Sequence, residues 1–301
     1  MRQKSNIIQN TFFLLLLAVF TGCQKSDLGG IVSTDEAEGY YGTTVEVCYS
    51  DNTKMYFHLL SDTTAEVVNY RWFNADQAGH IPWVYRDDVV VPQSFIHQGK
   101  TYTVTCVGDH AFYQNVGWNQ GYDYDINLIT SVTLPNTIDT IRESAFSGCH
   151  YITSFTIPNS VKYIGYTAFS GTKLTSVEIP DAIEEIPSGL FSGCYCLSSV
   201  KLPQNTVGIG SNAFWCTGFT SFEIPETVQY LGMDILMDCD NLKTVYCRPA
   251  TPPIKDPYNS YYEDYIRICD GLETIYVPEQ SVELYKSDPV WRLYKDIIVG
   301  V

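Results

Sequence analysis

The chain has 301 residues, 45% apolar and 17% charged, with 34 Asp and Glu against 18 Lys and Arg for a net charge of -16. That is enough apolar material for one elongated domain with covered ends. The acidity argues against nucleic acid or an anionic lipid surface as partner, since either calls for clustered cations. Its simplest reading is solubility.

Residues 1–22 read as a lipoprotein signal peptide. Arg2 and Lys4 precede the apolar run Phe12 to Phe20, too short to span a bilayer as a helix but suited to a signal-peptide core. Phe20-Thr-Gly-Cys23 is similar to a bacterial lipobox, in which a small residue precedes a cysteine that is lipidated and becomes the mature N-terminus. Cys23 is therefore the expected site of lipid attachment. The bland alternative is ordinary signal cleavage with Cys23 an incidental thiol. Residues 23–44, rich in Gly, Ser and acids, read as a flexible tether.

Residues 45–131 read as an N-terminal β cap. Val45–Cys48, Lys54–Leu60, Thr64–Tyr70 and Val89–Val91 have strand composition, with a candidate turn at Ser61-Asp62. Val91-Pro92 and Val107-Gly-Asp-His-Ala-Phe112 are a degenerate copy of a pattern that becomes regular further on. A hairpin is predicted over Phe95–Thr105, turning at Gln98-Gly99. An atypical first repeat suits a unit that covers one end of a core. From Phe112 to Phe146 the spacing is 34 residues, longer than the regular unit, so an insertion falls within Tyr113–Ile126. It carries Trp118, Tyr122 and Tyr124.

Residues 132–247 hold the regular repeats. Leu134-Pro135, Ile157-Pro158, Ile179-Pro180, Leu202-Pro203 and Ile224-Pro225 follow one another at offsets of 23, 22, 23 and 22, and Cys247 takes the same apolar place 23 residues on. A unit this small cannot enclose a core alone and must stack on its neighbours. Two residues before each of these places stands Val132, Phe155, Val177, Val200, Phe222 or Val245. Seven after it stands Ile141, Ile164, Ile186, Ile209 or Leu231, and twelve after it Phe146, Phe169, Phe191, Phe214 or Leu236. Runs such as Leu174-Thr-Ser-Val177 alternate with period two, as a strand with one buried face does. The proline, lacking an N–H, ends the strand. The fold class expected is a β-rich solenoid of 22- to 23-residue coils, with a parallel sheet on one wall and a phenylalanine column opposite.

The recurring L-x-x-V-x-I-P-x-x-V-x-x-I-G-x-x-A-F-x-G-C, followed almost throughout by Ile152–Phe169, resembles the BspA-like class of leucine-rich repeats of bacterial cell-surface proteins. Departures fall at Thr206, at Pro187-Ser-Gly-Leu190 and at Leu236. For some family members the resemblance implies adhesion to host proteins or other cells.

Residues 248–301 read as a C-terminal cap. Pro249–Ile266 is irregular, with Tyr258, Tyr261, Tyr262 and Tyr265. Leu272–Pro278 is a predicted strand, and Ser281–Lys286 and Val290–Lys295 are predicted short helices. Cys149, Cys194 and Cys239 recur in alternate coils, ~10 Å apart if coils rise ~4.8 Å each, beyond the reach of an unstrained disulfide. They read as buried, apolar thiols. Cys216 lies one coil from Cys194 and from Cys239 and is the thiol open to pairing.

Chemistry-bearing motifs are few. Gly208-Ile-Gly-Ser-Asn-Ala213 matches a dinucleotide fingerprint but lacks its strand-turn-helix context and is explained by the repeat. Cys194-Tyr-Cys196 lacks zinc-ligand spacing. Asp123-Tyr-Asp125 is more simply solvated than calcium-binding. The histidines at 58, 80, 97, 110 and 150 fit no nucleophile-base arrangement. No catalytic residue, metal or cofactor is expected.

What remains is surface. Outward positions of the predicted strands form one column of Ser131, Ser154, Ser176, Ser199, Ser221 and Thr244. A second column holds Thr133, Thr156, Glu178, Lys201, Glu223 and Tyr246. The second varies, so Glu178, Lys201, Glu223 and Tyr246 are the expected ligand-binding set, with cross-strand charge pairing in water as the plain alternative. The expected function is protein binding or adhesion by a monomeric outer-membrane lipoprotein at the cell surface, with the periplasmic face as the other option for the anchor. The expected partner is a host or bacterial surface protein, and the membrane is reached only through the lipid. The alternative partner is a glycan held by Trp118, Tyr122 and Tyr124.

Overall fold

The computed structural model describes residues 31–39, 42–49, 54–69, 87–114, 129–257 and 268–301. Cys23, Trp118, Tyr122, Tyr124, Asp123, Asp125 and the tyrosines at 258, 261, 262 and 265 lie outside the described residues.

Each repeat makes three passes, and most passes are bonded to their equivalents in the next repeat. The front pass is a short strand. Ser176–Glu178 lies parallel to Ser199–Lys201, residue against residue, and Ser221–Ile224 lies parallel to Thr244–Cys247. Thr274–Val277 and Ile298–Gly300 extend the second of these ladders. Val177, Phe222 and Val245 point into the core while Ser176, Glu178, Ser221 and Glu223 face water. After each strand the proline carbonyl accepts the N–H three residues on, as in Ile183 to Pro180 at 3.0 Å and Val228 to Pro225 at 3.1 Å. This turn carries the chain around the corner. At the departure Thr206 the side chain is fully buried, and its hydroxyl donates to the Pro203 carbonyl at 2.8 Å. A valine place thus takes a threonine without an orphaned polar atom.

The front ladder is not continuous, contrary to the single parallel sheet expected. Asp87–Val90 pairs with Ile129–Thr133, and the next two ladders are separate sheets. Ser154–Ile157 alternates in burial but joins no strand. The gaps fall beside inward phenylalanines. Phe155, 4.9 Å from Phe146 and 5.0 Å from Phe169 between ring centroids, has Val132 and Val177 as its neighbours in the column. Phe222 follows Val200. The ring alone does not break the ladder, since Phe222 lies directly against Val245 in an unbroken pairing.

The second pass is a two-residue strand in every coil: Thr140–Ile141, Tyr163–Ile164, Glu185–Ile186, Gly208–Ile209, Tyr230–Leu231 and Ile254–Lys255. The Ile or Leu of the first five points inward. The glycine that follows has a packing cause. A β carbon on Gly165 would lie 2.5 Å from the Glu143 nitrogen, on Gly210 2.5 Å from that of Ser188, and on Gly232 2.2 Å from that of Ser211. Coils approach too closely there for any side chain.

The third pass carries the phenylalanines. Phe112, Phe146, Phe169, Phe191 and Phe214 stack at 5.1, 5.1, 5.7 and 5.9 Å, and Leu236 continues the buried column. Phe169 sits between Phe146 and Phe191, as the register predicts. The backbone here alternates into the left-handed region two residues to either side of the ring, at Ser144 and Gly148, Thr167 and Gly171, Asn212 and Cys216. That alternation turns N–H groups along the stack: Ser144, Phe146 and Gly148 donate to Tyr166, Ala168 and Ser170 at 2.8–2.9 Å.

The third-pass cysteines are buried, as expected, yet they are more than small apolar fillers. Cys149 donates to the Phe112 carbonyl at 3.1 Å, Cys194 to that of Phe169 at 3.1 Å and Cys239 to that of Phe214 at 3.2 Å. In the coils between, Thr172 and Thr217 donate to the carbonyls of Phe169 and Phe214, each at 3.0 Å. One phenylalanine carbonyl is therefore shared by a threonine of its own coil and a cysteine of the next. The one-residue difference in coil length lies here, in Cys149-His-Tyr-Ile152 against Thr172-Lys-Leu174. All nine described cysteines are free thiols, Cys216 included.

At the N-terminal end, Gly42–Tyr49, Lys54–Leu59 and Thr64–Val68 form an antiparallel meander. Thr64–Val68 then runs parallel to Lys100–Val107, which begins the second wall. Ile31–Gly39, placed in the tether by its composition, is instead a strand paired antiparallel with Gly42–Tyr49. Its β-branched Ile31, Val32 and Thr34 suit a strand, and its backbone groups have a partner edge to pair with. Ser94–His97 and Lys100–Val107 form the predicted hairpin, with Gln98 and Gly99 at φ 48° and 75°, the positive values a two-residue turn requires. Buried Glu66 joins meander to coils, 3.1 Å from Arg142 Nε and 3.1 Å from His58 Nδ1.

At the other end Val282–Ser287 is a helix. The second predicted helix reduces to one 3-10 turn, Arg292–Tyr294, because Asp288 takes the Val290 and Trp291 N–H groups at 2.8 and 3.3 Å and Ile298–Gly300 returns to the front sheet as an unforeseen strand. Fully buried Tyr285 and Trp291 pin this segment, donating to the Pro249 carbonyl at 2.7 Å and the Pro253 carbonyl at 3.0 Å.

Candidate functional site

The outer face of the front wall brings the four expected residues onto one surface. Glu178 and Lys201 are register partners and form an ion pair. The hydrogen bond to the Glu178 carboxylate holds the Lys201 ammonium above its ordinary pKa. Glu223 does not pair with Lys201, because the ladder is broken between their strands. It takes Arg248 at 2.9 Å instead. The Arg248 guanidinium lies 5.1 Å from the centre of the Tyr246 ring, a cation–π contact. Tyr246 stacks on Tyr276, its register partner, at 5.1 Å and 15° between planes.

The expected set therefore divides into a charged pair, Glu178 and Lys201, and an aromatic cluster in which Arg248 links Glu223 to Tyr246. Sequence reasoning missed Arg248 and Tyr276. Tyr276 stands 30 residues after Tyr246 rather than 22 or 23, so the period does not point to it; the signal available was the strand Leu272–Pro278 itself, whose tyrosine precedes Val277-Pro278 as Tyr246 precedes Cys247.

Behind this surface thiols lie buried. Burial pushes the Cys106 and Cys247 thiols up to about 12 and Cys194 up to about 11, so these sulfurs are protonated at neutral pH and are not nucleophiles. Among the described residues no group of His, Cys, Asp or Glu is arranged to hold a metal ion.

The family model for the BspA type leucine rich repeat region matches residues 121–243, in six copies. These residues belong to the BspA-type leucine-rich repeats. The BspA-type motif glycine is Gly210 in the stretch that mimics a dinucleotide fingerprint, and its role is the close coil contact with Ser188. Among solved structures, the chain is similar to a leucine rich cell surface protein from Faecalibacterium prausnitzii, at 23% identity over 77% of this chain and 70% of that one, with a TM-score of 0.48. It is also similar to leucine-rich repeat proteins from Bacteroides ovatus (18% identity, 75% and 73% covered, TM-score 0.32) and Eubacterium ventriosum (17%, 82% and 79%, 0.34). Comparison with curated proteins gave no match.

Proposed function

We propose that the chain is a non-catalytic outer-membrane lipoprotein whose BspA-type coils form a solenoid that binds a host or bacterial surface protein through the front face. The observation that carries this reading is the outward cluster of Tyr246, Tyr276 and Arg248 beside the Glu178–Lys201 pair. Tyr and Arg dominate the energetics of protein interfaces. Here the rings and guanidinium are already held by one another, so docking a partner on them costs little further side-chain entropy. The other outward column is Ser or Thr throughout, a flat flank that a partner can approach. The signal-like residues 1–22 and Cys23 support export and a lipid anchor.

The full chain should retain a protein from host matrix or bacterial surface extracts, and the Tyr246→Ala, Tyr276→Ala double variant should bind it at least tenfold more weakly while keeping its circular dichroism and Tm. Equal binding by the double variant would remove the front face as the site. Cys23→Ala should release the protein from membranes or leave a precursor. If it stays in the membrane pellet at mature mass, the anchor lies elsewhere.

A further inference from the structure

A groove of about 380 Å³ lies on the outer side of the second wall, a different surface from the front face. Tyr163 and Tyr166 stand along one side, 54% and 58% exposed, and Tyr230 along the other. The column register sets this spacing. Glu185, Gly208 and Tyr230 are successive partners on three coils, and Tyr163 holds the same place one coil before them. Gly208 shapes the far side. With no side chain at that position, the Tyr230 ring lies over the backbone, and a β carbon on Gly208 would fall 2.1 Å from a ring carbon. The floor next to it is the glycine backbone at Gly210 and the Ser188 hydroxyl. Small residues thus open a slot between aromatic sides, and the slot is rimmed by Lys162, Glu184, Glu185 and Asp256.

We propose that this groove binds a neutral saccharide. A pyranose ring presents an apolar C–H face, which a tyrosine ring covers well, and a rim of hydroxyls, which donate strong hydrogen bonds to carboxylates. Both complements are present, rings on the sides and carboxylates at the edge. Three carboxylates against one ammonium disfavour an anionic sugar by like-charge repulsion. The backbone of this wall is bonded coil to coil before Ile164 and from Ile186 on, as in Gly165 to Ile141, Gly210 to Ile186 and Gly232 to Ile209 at 2.7–2.8 Å. Between Tyr163–Ile164 and Glu185–Ile186, where Pro187 has no N–H to give, the ladder is interrupted, so strand addition by a peptide is the competing outcome that the test separates. The volume is at the small end of ligand pockets, suited to one or two sugar rings.

The test is an array carrying neutral gluco-, manno- and galacto-oligosaccharides, the same chains bearing uronic or sialic acid, and Lys-rich peptides, probed with the full chain. Hits are then titrated by affinity electrophoresis. Neutral glycans should be retained and acidic ones not. Tyr163→Ala and Tyr166→Ala should each weaken binding at least tenfold with Tm unchanged, because both rings face solvent. Tyr195→Ala, 55% exposed and outside the groove, should bind like the parent. The proposal is overturned if no neutral glycan is retained, if the tyrosine variants bind like the parent, or if Tyr195→Ala loses as much. Loss with Trp118→Ala alone, or tyrosine-dependent retention of Lys-rich peptides instead of glycans, overturns it equally.

Discussion

The third wall and the second outward column of the front wall are built from the same coils, yet one hardly changes along the stack while the other changes at most steps. On the third wall a stacked ring recurs from Phe112 to Phe214, flanked from Phe146 on by a left-handed backbone pair. On the front face Thr156, Glu178, Lys201, Glu223 and Tyr246 succeed one another with no common chemistry. What differs is the neighbour. Where a side chain is enclosed between its equivalents in the core, its shape must match; where it faces water, as in the column from Thr156 to Tyr246, the stack does not require a match. The difference teaches where to look for recognition and where only for packing.

The sharpest way to break this contrast is Phe169→Ala. It removes a ring stacked on both sides and should cost ~3–5 kcal/mol in a denaturant titration; a loss below ~1 kcal/mol would mean the column is not the core. Next is Gly232→Ala, whose new methyl would meet backbone 2.2 Å away and should cost ~1–3 kcal/mol. Gly208→Ala, opposed by a ring that can swing aside, should change stability by under ~1 kcal/mol. If the two alanine variants are equally stable, coil contact does not explain the motif glycine.

Alkaline pH probes the same wall. Burial raises the Cys194 pKa from its ordinary 9.0 to about 11, so between those values the unfolded chain has lost a proton that the folded chain keeps. The stabilisation is complete below pH 9 and is lost as pH rises through about 11, at up to ~1.4 kcal/mol per pH unit for each such thiol. Urea midpoints at pH 8 and 10.5 should fall less steeply for Cys194→Ala than for the parent; parallel slopes would contradict the burial. The smallest effect is expected at the front face, where Ser176→Ala should stay within ~0.5 kcal/mol. A larger loss there would erase the distinction between the two surfaces.

Much of the fold was legible because it repeats. The phenylalanine column, the inward isoleucines and the hairpin at Gln98-Gly99 follow from spacing and turn chemistry. Ile31–Gly39 was not legible: composition registers its glycines and acids but not the strand edge beside it. Nor was the third ladder, since Ser144 and Thr167 adopt positive φ without the glycine that would announce it. The front cluster was half legible, Tyr246 by register and Tyr276 hidden behind a broken period. The second-wall groove left no trace in the sequence, because Tyr163 and Tyr230 belong to coils three apart and Gly208 matters only through the ring that covers it.

The shared phenylalanine carbonyls bear on how such a chain can change length. Thiol and hydroxyl clasp coils two by two, Phe169-Thr172 with Cys194 and Phe214-Thr217 with Cys239, so the translational unit is a doublet rather than a single turn. Excising residues 150–194 would rejoin Cys149 to Tyr195 and leave each remaining clasp with its mate. Excising one turn would bring two cysteine turns or two threonine turns together and leave a donor facing its own kind. Growth or shortening of this molecule, by recombination or by design, therefore proceeds most cheaply in even steps.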